Sequence, residues 1–74
     1  MTEPHEHDIE KVYSTKDFVA KLRRLADALE RGESFSIQVA GKRINVPATA
    51  NISIEYERED NEEELEFQLK WQRG

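Results

Sequence analysis

The chain has 74 residues, room for one domain, with 36% hydrophobic and 36% charged residues and a formal net charge of −5. It has no cysteine, which excludes a disulfide framework and a thiolate metal centre. The acidic balance disfavours duplex nucleic acid unless cations gather on one face, and no apolar run approaches the length of a membrane-spanning helix.

Residues 1–8, from Met1 to Asp8, are polar and aperiodic and read as a disordered tail. They show neither the basic nor the apolar region of a secretory signal, so a soluble cytoplasmic protein is expected. Ile9 to Tyr13 is a candidate short strand. Ser14 then offers a capping hydroxyl, with Asp17 at the capping-box position. The helix that follows runs to about Arg31, and Gly32 suits the left-handed residue that ends it. Phe18, Leu22, Leu25 and Leu29 recur on one stripe, flanked by Val19 and Ala26, while Asp17–Lys21 and Asp27–Arg31 are favourably oriented i,i+4 pairs.

Two hairpins complete the chain. Phe35–Ala40 alternates, Gly41-Lys42 forms a two-residue turn with Gly first, and Arg43–Val46 returns; this register sets Val39 opposite Ile44 and Ile37 opposite Val46. Pro47, which cannot donate to a ladder, ends or bends the strand. Asn51–Arg58 is the next strand, with Asp60-Asn61 as its turn and Glu64–Trp71 as its partner. Tyr56 then faces Leu65, Ile54 faces Phe67, Ile52 faces Leu69 and Ala50 faces Trp71. Leu65, Phe67, Leu69 and Trp71 share one face, and a slip of one residue would turn all of them outward.

One helical stripe and one apolar sheet face must cover each other. The expected fold is therefore α+β in two layers: one helix packed on a four-stranded antiparallel sheet, or a five-stranded one if residues 9–13 join it. The domain spans residues 9–72, with 73–74 as its C-terminal end.

The helix Asp17–Gly32, the stretch Ile54-Glu55-Tyr56-Glu57-Arg58-Glu59 and the strand Glu64–Trp71, in that order, resemble the amphi-Trp domain family. These are small prokaryotic proteins named for an amphipathic strand ending in tryptophan. The resemblance spans roughly residues 9–72 and implies the fold; it implies no activity, cofactor or catalytic residue.

The polar face of the second hairpin is rich in like charge. Glu55 faces Glu66, Glu57 faces Glu64 and Glu59 faces Glu62, an arrangement that costs stability. Read functionally, it would attract a basic protein or a divalent cation; read structurally, it is a solvated face that keeps a small protein soluble and monomeric, and this simpler reading is preferred. Trp71 is either a lid on the core, the preferred reading, or an interface anchor. Glu55, Glu57, Glu64, Glu66 and Trp71 are accordingly the candidate partner-binding residues.

His5 and His7, two residues apart in the tail, make at most a weak chelate, and no metal or cofactor is expected. Lys16, Lys21, Arg23, Arg24 and Arg31 of the helix, with Lys42 and Arg43, could hold phosphate, but interleaved acids favour ordinary surface pairing. No nucleophile–base motif is present, so an enzyme is not expected. The expected function is a small non-catalytic protein-interaction module, with an unknown protein partner, a basic one among the options, or a second copy as homodimer. The alternative is nucleic-acid binding through the basic helix surface, which is disfavoured; no membrane partner is expected.

Overall fold

The computed structural model describes residues 9–73. The expected tail over residues 1–8, with His5 and His7, lies outside that range. Residues 9–13 form no strand. Tyr13 instead reaches the first hairpin through its side chain, donating a hydrogen bond to the Gln38 carbonyl at 3.3 Å. Lys11 and Lys21 each place an ammonium about 5 Å from the centre of its ring.

Helix α1 spans Thr15–Arg31. Ser14 caps it, its hydroxyl accepting from the Asp17 amide at 3.2 Å. At the other end Gly32 takes φ 67° and ψ 33°. The Glu33 amide bonds the Ala28 carbonyl and the Gly32 amide bonds that of Leu29, which makes a Schellman ending.

Strands β1 (Phe35–Val39) and β2 (Lys42–Val46) form one antiparallel pair, and β3 (Asn51–Glu59) and β4 (Glu62–Lys70) form another. The antiparallel α+β architecture is as expected, but the strands make two two-stranded sheets, not one of four or five. Pro47 supplies no amide to continue a ladder, and a turn closed by the Ala50 amide on the Pro47 carbonyl redirects the chain between β2 and β3.

The first hairpin differs from the expected register by two residues. Ile37 faces Ile44, Phe35 faces Val46 and Val39 faces Lys42. Its turn is Ala40-Gly41, with φ 51° and 83°, the two positive angles of a type I′ turn. Gly41 occupies the second central position, and the apolar faces survive because a slip of two preserves them. The β3–β4 register is the expected one from Ile52↔Leu69 to Glu59↔Glu62. The ladder stops at Asn51↔Lys70, so Ala50 and Trp71 lie just beyond it.

The core is Ala28, Phe35 and Val46, with Leu25, Ile37, Ile44, Ala50 and Leu69 packed around it. The helix therefore turns its Leu25–Ala28 side inward, while Phe18, Leu22 and Leu29 of the expected stripe stay substantially exposed. Ala28 allows close approach to β1, and Arg24 fixes the crossing. Its guanidinium donates to the Ser36 carbonyl at 2.8 Å and lies over the Phe35 ring at 5.1 Å.

Candidate functional site

Alternation places Ile52, Ile54 and Tyr56 of β3 and Leu65, Phe67 and Leu69 of β4 on one face of the second hairpin. The helix approaches only the end of that face nearest the core. There Leu25 and Leu29 stand opposite Ile52, Ile54, Phe67 and Leu69 across an open apolar groove of about 300 Å³. Of this face only Leu69 packs against the core; Ile52 is 63% exposed, Ile54 64%, Phe67 63% and Leu65 62%. Sequence alternation assigned these side chains to a covered core face. They are open because the helix packs on the first hairpin and does not reach across the second.

At the outer end of this face the Tyr56 hydroxyl donates to the Glu63 carboxylate at 2.8 Å. That negative partner, with a lesser desolvation effect, raises the Tyr56 pKa, and Arg58 opposes the rise. Nothing in the sequence pattern flagged this polar end, although Arg58 faces Glu63 in the register.

The opposite face holds the glutamates. Glu55 faces Glu66 and Glu57 faces Glu64. Gln68 relieves the first pair: its amide donates to Glu55 at 2.7 Å and, at 3.4 Å, to Glu66, while accepting from the Ser53 hydroxyl at 3.1 Å. Glu64 receives no such relief. Its pKa is raised chiefly by the charge of Glu66, then by desolvation and by Glu57, Glu10 and Glu55. Glu57, Glu59, Glu62, Glu63 and Glu64 line a shallow concavity near the turn. Among the described residues no group of three or more His, Asp or Glu side chains is placed to hold a metal ion.

Trp71 stands apart from the four glutamates. It is 39% exposed and borders a shallow hollow with Pro47, Thr49 and Lys70, beside the link between the hairpins. The basic residues also divide. Lys21, Arg24 and Arg43 border a hollow over Ser36 and Gln38, and Arg43 donates to the Ser36 hydroxyl at 3.4 Å. Arg24 is thus occupied in bracing the core, a role the sequence did not reveal. Among the described residues no helix is long and apolar enough to cross a membrane.

No curated protein and no solved structure matches the chain. The family model of the Amphi-Trp domain matches residues 1–74. With its helix, two hairpins and closing tryptophan, the chain belongs to the Amphi-Trp domain family.

Proposed function

We propose that this protein is a small non-catalytic contact module whose principal binding surface is the apolar face of β3–β4. The observation that carries the reading is the exposure of Ile54, Leu65 and Phe67 side by side on one regular face. Roughly 100 Å² is open on each such side chain, Ile52 and Tyr56 included. Together they make a patch of about 500 Å², the size of the largest apolar patch on a typical monomer, which is often a functional surface. The glutamate face behind it favours solubility and could receive a basic partner, although Gln68 already engages Glu55 and Glu66.

A photo-activated cross-linker at Phe67, compared with one at Glu57 on the opposite face, tests this in the cells that make the protein. Protein adducts through position 67 and few through 57 are expected. Adducts through 57 alone would move the contact to the acidic face, and none through either would end the proposal. The hollow bordered by Lys21, Arg24 and Arg43 keeps nucleic-acid binding as the alternative. Passage through heparin at low salt is expected; retention lost with a steep salt dependence would favour the alternative.

A further inference from the structure

The bare face of β3–β4 has a surface area and a charge pattern that fit one occupant. A folded monomer of about 7.7 kDa, the mass of residues 9–73, exposes about 4,300 Å². This chain exposes 7059 Å². Residues 1–8 and 74 can contribute at most about 1,500 Å², the area of any fully extended chain of that mass. The excess that remains for residues 9–73 is about 1,200 Å². Each partner in a protein interface of standard size contributes about 800 Å². The chain therefore exposes at least one partner's share of a standard interface more than a self-sufficient monomer does.

The hairpin itself needs cover. A lone two-stranded sheet is marginal in water and becomes stable when its apolar face packs against something. Here the helix only approaches the inner end, where Leu25 and Leu29 stand across an open groove and Leu69 alone is packed against the core.

Charge selects the occupant. The glutamates at positions 55, 57, 64 and 66 all point away from the apolar face. At its outer end that face carries Arg58 and Glu63, one charge of each sign. A basic partner would be drawn to the other side of the hairpin. An anionic surface would meet a chain of net charge −5. A second copy also carries −5, but the face it presents is apolar with one charge of each sign, and packing face to face holds the two acidic faces outward and apart.

We infer that two copies of this chain pack the apolar faces of β3–β4 against each other, an inference that rests on the contact reading above. The two sheets stack about 10 Å apart as in a β-sandwich. The helix flanks the inner end of each face without filling it, so the two faces overlap in opposite directions and the outer end of one hairpin reaches the open groove at the inner end of the other. This is a two-fold arrangement with its axis across the strands. Tyr56 and Leu65 of each chain then close the groove beside Leu29 of its mate, where the exposed Leu22 flank of the helix also lies.

Sedimentation of the full chain over about 5–500 µM tests the pairing. The expected result is a rise from one chain of 8.7 kDa to about twice that mass. Ile54→Glu should weaken association at least about 100-fold, because it would bury an unpaired charge. Since Ile54 is 64% exposed in the single chain, the variant should keep its circular dichroism spectrum. Val12→Glu, at a position 89% exposed and off the face, should associate as the parent does. A dimer indifferent to Ile54→Glu would overturn the assignment. So would a chain that stays single throughout. In that case, adducts from the Phe67 cross-linker to another protein would leave the contact reading standing while self-association falls. A single chain that floats with phosphatidylcholine vesicles would replace the second copy with a membrane surface. If Ile54→Glu unfolds, the Phe67 cross-linker in the purified parent decides: adducts of doubled mass support the pairing, and their absence overturns it.

Discussion

Phe35 and Phe67 are both aromatic residues on the apolar face of a strand, and the structure gives them opposite weights. Phe35 is one of the three core residues, packed with Ala28 and Val46 and covered by the Arg24 guanidinium. Truncating it to alanine removes its transfer contribution and leaves a cavity that a small core fills poorly. Such changes cost about 3–5 kcal/mol, a large part of the whole stability of a domain this size. Phe67 is 63% exposed in the single chain. A fully buried Phe contributes up to about 3 kcal/mol, so roughly a third of that, about 1 kcal/mol, is at stake in Phe67→Ala. Urea midpoints measured at low micromolar concentration, where one chain stands alone, should show the gap directly. At concentrations that favour association, the Phe67→Ala deficit should grow, because the parent gains stability by pairing and the variant gains less. If dilute Phe67→Ala is as unstable as Phe35→Ala, the second hairpin is covered within the chain and the open face does not exist.

Ser14→Ala removes the acceptor for the Asp17 amide and should cost about 1 kcal/mol, read from the same urea curves. Gly32→Ala meets no atom within 4 Å, so its cost is the left-handed backbone alone, about 1–2 kcal/mol, and Gly32→Asn should recover part of it. For Glu64 the raised carboxyl pKa means that the folded chain holds this proton more tightly than the unfolded one. Its contribution to stability therefore rises as pH falls from neutral through the folded value, and is complete below the unfolded value. Glu64→Gln should be more stable than the parent at neutral pH and low salt, and its stability should lose part of that rise on acidification. Added salt should narrow the neutral-pH difference, because the charges are exposed.

Much of the architecture is legible in the residues, and the failures have identifiable physical causes. Ser14, Asp17 and Gly32 mark the helix ends because capping chemistry is local. The β3–β4 register follows from long alternation around Asp60-Asn61, and with it the facing glutamates. The first hairpin slips by two because Gly41 serves as the second of two positive-φ residues, and alternation alone cannot distinguish registers that preserve the faces. The period of the helix identifies Phe18, Leu22, Leu25 and Leu29 as apolar. It cannot show that the small Ala28 lets the inward side rotate toward β1. Pro47 signals a strand end, but whether the next hairpin rejoins the same sheet depends on the turn that Ala50 closes. The exposed apolar face follows from that break: periodicity identifies which residues are apolar, and tertiary packing decides which of them are covered. The Gln68 bridge between Glu55 and Glu66 likewise depends on side-chain reach within a known register.

Hydroxyl-radical footprinting of the parent at two concentrations tests the central claim most directly. In the dilute chain Leu65 and Phe67 should oxidise readily, as their exposure requires, with Val12 as the open reference. In the concentrated sample oxidation at Leu65 and Phe67 should fall several-fold while Val12 stays unchanged, because only the β3–β4 face is buried when two copies meet. Equal oxidation of Leu65 and Phe67 at both concentrations, in a sample concentrated enough for pairing, would contradict the account.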